Sequence, residues 1–172
     1  MIGSKLVEIE VPQKAMIVSH TDLNGVITYA NDTFCLISGY SSSELVGKPH
    51  NILRHPDMPS SLFKNLWETV AEGKMWSGYV KNMTKEGGYY WVYAHVSRLF
   101  DKDGKPVGYK SLRQPVSKEK RNELEESYTR LKEIEEHKIK INTWIDADLI
   151  QKLTDGDSSL GMLNRRLREI LG

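Results

Sequence analysis

The chain has 172 residues, of which 39% are hydrophobic, and this suits one ordinary globular domain with an appended element. The formal net charge of +1 gives no bulk attraction to nucleic acid or to an anionic membrane, and no apolar run approaches the roughly 18–20 residues that cross a bilayer. The single cysteine, Cys35, excludes an internal disulfide and a cysteine-based zinc cluster, and no signal-peptide segment is present. We therefore expect a cytoplasmic protein that neither binds nucleic acid nor inserts into a membrane.

A β-hairpin is predicted near the start of the chain. Residues 16–21 and 26–30 have strand character, and the turn between them contains the Asn24-Gly25 pair that favours tight hairpins. Residues 1–15 show no such pattern and are interpreted as a leader with a short helix at best.

Short helices are predicted next. Asn31 is suited to cap a helix that ends at Gly39, and Ser41 with Glu44 three residues later forms the capping box of a second helix. Residues 48–59 then hold three prolines, two histidines, an arginine and an aspartate. Because proline fixes φ and lacks a backbone donor, this stretch cannot be one ordinary helix. It suits a binding wall better than a linker, with a capped surface loop as the simpler alternative.

A third helix is predicted to begin at Ser60 or Ser61 and to end at Gly73. Its apolar residues recur at helical spacing, which predicts that they share the core face: Leu62, Phe63, Leu66, Trp67 and Val70.

Three strands are predicted over residues 76–82, 89–99 and 107–113, separated by turns at 85–88 and 101–105. Two strands, several short helices and then three strands indicate an α+β domain with an antiparallel sheet. The order of the strands cannot be fully sequential, because the helical crossover has to cover one face of the sheet.

A different pattern begins at residue 117. Residues 117–140 contain seven basic and seven acidic residues but neither glycine nor proline. An apolar stripe with a period of about 3.5 residues runs through this region and beyond: Leu124, Tyr128, Leu131, Ile134, Ile141, Ile145 and Leu149. We predict a helix over 117–153, about 55 Å long, that either serves in output and dimerisation or folds back on the domain. A break at 155–157 and a short basic helix over 160–171 follow.

Residues 16–116 combine motifs that together resemble a PAS domain. The motifs are Ile27-Thr28-Tyr29-Ala30-Asn31, Ser38-Gly39-Tyr40, Gly47-Lys48-Pro49-His50-Asn51, Arg54-His55-Pro56-Asp57-Met58-Pro59, Trp67, Trp76-Ser77-Gly78, Val80-Lys81-Asn82 and Tyr90-Trp91-Val92. The proline-histidine motifs combined with Trp-Ser-Gly and Lys-Asn are the more specific part. They resemble the flavin-binding PAS domain of bacterial aerotaxis receptors. We accordingly divide the chain into a leader (1–15), a sensor domain (16–116) and a helical output or dimerisation segment (117–172).

The resemblance implies a five-stranded antiparallel sheet with short helices on one face and FAD between them. The candidate cofactor-binding residues are His50, Asn51, Arg54, Trp67, Asn82 and Arg113. Trp67 matches the family tryptophan that holds flavin, although a plain core tryptophan would give the same pattern. The Asn82 amide suits the polar groups of the ring, whereas the residues of 50–54 suit its edge or the phosphates. Arg113 near the ring would favour a negatively charged reduced or semiquinone state.

Other chemistry finds little support in the sequence. Photoreceptor relatives form a light-driven cysteine adduct, but the corresponding region around Arg54 has no cysteine, and Cys35 suits a small buried hydrophobe. Val92 and Arg113 also stand where those photoreceptors have amide side chains. His50 and His55 lack a third ligand for zinc. No nucleophile elbow, Walker loop or dinucleotide glycine motif is present, so we expect no enzyme activity.

The remaining polar residues of the proline-rich connection have a structural interpretation. His55 and Asp57 are expected to hold one another, and Asp57 is expected to accept from Arg54 as a structural bridge.

The resemblance as a whole implies a stand-alone cytoplasmic redox sensor for energy taxis. It would signal to a separate, membrane-bound chemotaxis transducer and form a homodimer. The alternatives are a cofactor-free PAS interaction module and a heme-binding gas sensor.

Overall fold

The structure, a computed structural model, describes residues 6–141, and for 138–141 it describes the backbone alone. The strands are β1 (Ile17–Asp22), β2 (Ile27–Ala30), β3 (Trp76–Met83), β4 (Tyr89–Phe100) and β5 (Pro106–Pro115). The helices are α1 (Asp32–Ser38), α2 (Ser42–Leu45), a 3₁₀ helix (His50–Leu53), α3 (Ser60–Ala71) and α4 (Lys118–Ile141). The predicted helix beyond 141, the break at 155–157 and the helix over 160–171 lie outside the described residues.

The strands form one antiparallel sheet in the order β2-β1-β5-β4-β3. This order confirms the α+β prediction, since β2 and β3 are neighbours along the chain but lie at opposite edges of the sheet. The helices between them cross one face, which we call the inner face. No helix within residues 6–141 has the length and apolar character needed to span a membrane.

The predicted helix caps are confirmed. Asn31 accepts a hydrogen bond from the Phe34 amide, and Gly39 ends α1 in the left-handed conformation at φ 78°. Ser41 and Glu44 form the reciprocal capping box of α2. Asn31 also accepts from the Val18 amide at 3.1 Å, so the residue that starts α1 fastens it to β1.

The segment from Gly47 to Met58 connects the two edges of the sheet. At its start, the Gly47 amide donates to the Ile27 carbonyl, and the Ile27 amide donates to the Lys48 carbonyl. Beyond the 3₁₀ helix, Arg54 forms an antiparallel bridge with Asn82 of β3. The connection therefore spans the inner face from β2 to β3 and encloses the space beneath it.

Helix α4 lies against the opposite, outer face and then reaches the start of α3. Leu124, Tyr128, Leu131 and Ile134 are all buried, and the Tyr128 hydroxyl donates to the Tyr79 carbonyl at 2.7 Å. Of the two interpretations of the apolar stripe, this part of the helix follows the one in which it folds back on the domain. In this arrangement, these four side chains are not available to a second copy of the chain.

Residues 6–15 differ from the expected loose leader. Residues 7–9 pair with the start of β4: the Ile9 amide donates to the Tyr89 carbonyl at 2.7 Å, and the Tyr89 amide donates to the Val7 carbonyl at 3.0 Å. Glu8 forms an ion pair with Arg121 of α4 at 2.7 Å. The first residue of β4 therefore provides a backbone partner that the local sequence pattern does not reveal.

Candidate functional site

A cavity of about 380 Å³ lies between the inner face of the sheet, α3 and the connection. Its size falls within the range of small-molecule sites. All six candidate residues line it: His50, Asn51, Arg54, Trp67, Asn82 and Arg113. The structure thus brings together side chains from the 3₁₀ helix, α3, β3 and β5.

Trp67 lies at the mouth of the cavity and is 44% exposed. The sequence pattern predicted it on the core face of α3, but Leu62, Leu66 and Val70 occupy that face and are buried. The Trp67 ring meets Tyr109 edge-on, with 5.5 Å between centroids. A Cβ at Gly25 would lie 3.8 Å from the indole, so the hairpin turn also borders the ring closely. An indole so placed can cover a planar ligand that enters the cavity.

Arg113 is a buried cation with spare donors. Its side chain is 2% exposed, Nη2 donates to the Ser19 hydroxyl, and the guanidinium carbon lies 4.5 Å from the Phe34 ring centroid. Its Nε and Nη1 groups have no hydrogen-bond partner within residues 6–141. No carboxylate in the described part of the chain forms an ion pair with it. Burial lowers its pKa to about 10, opposed by the nearby Tyr90. Buried donors of this kind normally have partners, so these two nitrogens are available to a group bound in the cavity.

His50 is held neutral beside this cation. Its Nε2 lies 3.1 Å from the Ser19 oxygen, and its ring stacks on Phe34 with 5.9 Å between centroids. Burial, and next the charge of Arg113, lower the pKa of His50 to about 3. Because Ser19 accepts from Arg113, its hydroxyl hydrogen can be donated to Nε2. The phenyl ring of Phe34 thus supports both the cation and the neutral imidazole.

Asn82 supplies a buried amide on β3. It is 5% exposed, and it lies opposite Tyr90 of β4 in the register of the sheet. Burial raises the pKa of Tyr90 to about 12, against smaller opposing effects of Arg113 and the Asn82 amide. An amide offers both a donor and an acceptor, which matches the alternating carbonyl and N–H groups of a flavin edge.

Arg54 and Asn51 are exposed at the rim. The Arg54 guanidinium carbon lies 4.2 Å from the Phe63 ring centroid, and Nη2 donates to the Ser60 hydroxyl at 3.2 Å. An arginine held flat at the mouth can meet an anionic group that projects from the cavity through charge-assisted hydrogen bonds.

His55 and Asp57 lie outside the cavity. The His55 ring is buried, its Nδ1 accepts from the Asp57 amide at 3.0 Å, and it lies 3.6 Å from the Asp57 carboxylate. These contacts confirm that the two residues hold one another. The expected bridge from Asp57 to Arg54 is wrong, because the Asp57 carboxylate pairs with Lys81 at 3.4 Å. Lys81 lies on the outer side of β3 and reaches Asp57 around the edge of the sheet.

Several cavity residues were not among the cofactor-binding candidates chosen from the sequence. They are Ser19, Thr21, Asn24, Gly25, Pro49, Phe63, Leu66, Trp76, Val80, Ala94, Val96, Tyr109 and Ser111. Side chains on a strand point alternately to the two faces of the sheet. Val80 and Ser111 could therefore have been predicted to share the inner face with Asn82 and Arg113, which lie two positions away. Residues of β1 such as Ser19 required knowledge of the sheet order. Within the described residues, no cluster of three or more His, Cys, Asp or Glu side chains could hold a metal ion.

Comparisons with known proteins agree with this architecture. The model of the PAS fold family matches residues 27–113. The aerotaxis receptor of Escherichia coli (strain K12) is 45% identical over 115 residues, which cover 67% of this chain and 22% of that protein. A nitrogen fixation regulatory protein of Klebsiella pneumoniae is 28% identical over 107 residues, which cover 62% of this chain and 22% of that protein. The chain therefore spans about a fifth of the length of these curated relatives.

Among solved structures, the PAS domain of a protein from Colwellia psychrerythraea has the same fold. It matches with a TM-score of 0.55 at 22% identity, over 60% of this chain and 87% of that one.

Proposed function

The chain belongs to the PAS fold family, and on that premise we propose that it is an FAD-binding redox sensor for aerotaxis. Residues 16–116 form the sensor, and 117–172 form the output segment in this proposal. The motifs that resemble the flavin-binding domain of aerotaxis receptors support it, as does the similarity to a receptor of that name. The related proteins are sensory rather than enzymatic, and we extend that role to this chain.

The observation that supports FAD most directly is the buried Arg113, whose Nε and Nη1 nitrogens have no hydrogen-bond partner among the described residues. A buried guanidinium without a carboxylate is costly unless a ligand accepts its hydrogen bonds. A flavin ring has carbonyl and ring-nitrogen acceptors at one edge and an apolar body, and the cavity pairs spare donors with walls such as Trp76 and Val80. The residues present therefore fit the group.

Each candidate residue has a role in this proposal. Trp67 would cover the ring at the mouth, and Asn82 would form hydrogen bonds with the pyrimidine edge. Arg54 and Asn51 would hold the phosphates, because they lie at the rim, where the dinucleotide has to leave a cavity of this size.

Bound FAD would supply a ring that takes up and releases electrons and whose charge depends on its redox state. Arg113 would favour the negatively charged reduced form, since its cation lines the cavity and pairs with no carboxylate of residues 6–137. His50, neutral in the folded protein, adds no second charge. A change of charge at the ring edge would alter the hydrogen bonds of Arg113 and Asn82 and bias the domain between two arrangements.

We further propose that the sensor acts in the cytoplasm, forms a homodimer and signals to a membrane-bound chemotaxis transducer on a separate chain. The relationship to an aerotaxis receptor supports this output. The matched region is 22% of the length of that receptor, so the signalling route of this chain is inferred from the relationship as a whole and not from the aligned residues.

An absorbance spectrum of the purified protein tests the cofactor. We expect flavin bands, and we expect the released cofactor to co-migrate with FAD rather than FMN in chromatography. A Soret band would instead identify a heme sensor. A colourless protein that takes up no added FAD would leave a cofactor-free interaction module. For the output, co-purification with a chemotaxis transducer and loss of the response to oxygen gradients on gene deletion are the expected results.

A further inference from the structure

Helix α3 begins without a side-chain cap of its own. Pro59 occupies the N-cap position and makes no capping hydrogen bond. The first amide groups of a helix have no partner within it, and serine, threonine, aspartate or asparagine usually supplies one. Proline cannot do so, since it has no side-chain acceptor.

Glu135 of α4 supplies the missing cap. The Ser60 amide donates to Oε2 at 3.0 Å and the Ser61 amide donates to Oε1 at 2.8 Å, although 75 residues separate Ser60 from Glu135. The Ser61 hydroxyl also donates to this carboxylate. A negative charge at this end of a helix is further favoured by the helix dipole. The carboxylate thus holds two of the unpartnered amides of α3 at once.

The capped helix forms one wall of the cavity. Phe63, Leu66 and Trp67 of α3 all line it, and Asn65 accepts a hydrogen bond from Trp76 on the sheet at 2.9 Å. Phe63 and Trp67 lie within the first two and a half turns after the capped amides. The position of α3 relative to the sheet therefore sets the width of the cavity on this side.

Helix α4 has a second attachment that does not touch the cavity. Glu125 accepts from the Trp91 indole at 3.0 Å and pairs with Lys81 at 2.9 Å. Lys132 donates to the Pro56 carbonyl close to the start of α3. Loss of the Glu135 contact alone is therefore expected to loosen the end of α4 while its first turns stay docked.

From these contacts we propose that Glu135 is a positioning residue for the cavity, which makes FAD binding and the docking of α4 depend on each other. The inference rests on the proposed function. FAD contacts the wall that α3 forms, and Glu135 stabilises the same placement of α3. By thermodynamic linkage, docking of α4 strengthens FAD binding and FAD strengthens docking by the same factor. Docking of α4 in the output segment would thus depend on whether the cavity is occupied, through the N-terminus of α3.

The test compares Glu135→Ala with Glu133→Ala, an exposed glutamate on the same helix. FAD affinity is measured by the change in flavin fluorescence, and docking by hydrogen exchange of the α3 and α4 amides. Because an N-cap contributes about 0.5–2 kcal/mol, and each 1.4 kcal/mol is tenfold in affinity, we expect a Kd raised about two- to thirtyfold in Glu135→Ala and unchanged in the control. Added FAD should slow exchange in α4 of the wild type, and less so in Glu135→Ala.

A rescue variant separates positioning from general damage. Pro59→Ser gives α3 its own cap, so combining it with Glu135→Ala should restore FAD affinity while α4 continues to exchange fast. Equal FAD affinity in Glu135→Ala and Glu133→Ala would overturn the inference and leave the proposed function intact. A wild-type chain that takes up no FAD would remove the proposed function and, with it, this coupling.

Discussion

Arg113 and Phe34 form a buried cation–aromatic contact, with 4.5 Å between the guanidinium carbon and the ring centroid. Buried cations usually pair with carboxylates, but this one is supported by a ring face and by one serine hydroxyl. No carboxylate of the described residues pairs with this positive charge, which lies in the cavity of the candidate site.

The FAD-free protein should become more stable when Arg113 is replaced by an apolar residue. Arg113→Met removes a buried charge and keeps an apolar side chain of similar length, so the free energy of unfolding should rise by about 1 kcal/mol or more. Urea denaturation of the FAD-free protein measures this change. Arg130→Met, at a more exposed ion pair with Glu126, is the control and should change little. A less stable Arg113→Met protein would show that the cation already has sufficient partners.

The same substitution should make bound FAD harder to reduce. Without the cation, the negatively charged reduced form loses stabilisation, and each 1.4 kcal/mol corresponds to about 30 mV for a two-electron couple. We expect a midpoint potential lower by tens of millivolts, measured by spectroelectrochemistry. Arg113→Lys keeps the charge and should shift the potential less. Equal midpoint potentials in the wild type and in Arg113→Met would show that Arg113 does not influence the reduction of bound FAD.

Trp67 and Asn82 should determine FAD retention. Trp67→Ala removes the ring that covers the mouth, and Asn82→Ala removes the buried amide, so each should weaken FAD binding about tenfold. Fluorescence titration measures the affinity. Phe100→Ala provides the matched control, because Phe100 is 56% exposed and does not line the cavity. Unchanged affinity in both site variants would show that the ligand binds elsewhere.

The stability of the FAD-free protein should fall between pH 7 and pH 5, in part because of His50. Its pKa is lowered from the ordinary 6.5 to about 3 in the folded state. Below pH 6.5 the unfolded chain therefore binds a proton that the folded chain does not. The contribution of His50 to the free energy of unfolding is fully present above pH 6.5. It is lost as the pH falls toward 3, at about 1.4 kcal/mol per pH unit.

His50→Gln should flatten this dependence in urea denaturation at several pH values. His20 and His55 also have pKa values lowered chiefly by burial and contribute with the same sign. His20→Gln, on the outer face and away from the cavity, is the comparison variant and should leave most of the slope. An identical slope in His50→Gln and wild type would contradict the assignment.

Glu125 should anchor the start of α4. Its carboxylate pairs with the buried Lys81, whose other partner, Asp57, lies 3.4 Å away. Glu125→Ala leaves that ammonium under-compensated and should reduce the free energy of unfolding by about 1–3 kcal/mol. Limited proteolysis of α4 and urea denaturation check this. Glu126→Ala breaks only a surface pair and should cost less than about 1 kcal/mol. Equal effects of the two substitutions would argue against the anchor.

The elements of this fold were largely predictable because their signals are local. The Asn31 cap, the Ser41–Glu44 box and the Asn24-Gly25 turn each depend on residues within a few positions of one another. Five of the six candidate residues lie in the quoted motifs, and Arg113 was chosen by its correspondence with photoreceptor domains. All six line one cavity, and their role in binding a cofactor stays a prediction. The surface against which the apolar stripe of α4 packs was not predictable, because such a stripe does not specify the surface that it covers.

Trp67 and Lys81 illustrate what local pattern cannot supply. Helical spacing groups Trp67 with Leu66 and Val70, but whether that flank meets the core or a cavity depends on the sheet beneath it. Lys81 lies in a strand with buried neighbours on both sides, and its burial depends on Glu125, 44 residues later. The trans cap by Glu135 is of the same kind, since the carboxylate is far from α3 in the chain.

The connection from Gly47 to Met58 has a consequence for how the molecules behave at high concentration. Exposed edge strands are templates for intermolecular β-pairing and aggregation. Here the outer edge of β2 is bonded to Gly47 and Lys48, and that of β3 meets Arg54 and Met58. One segment therefore covers part of both edge strands. Local unfolding of this segment should expose β2 and β3 together to intermolecular β-pairing.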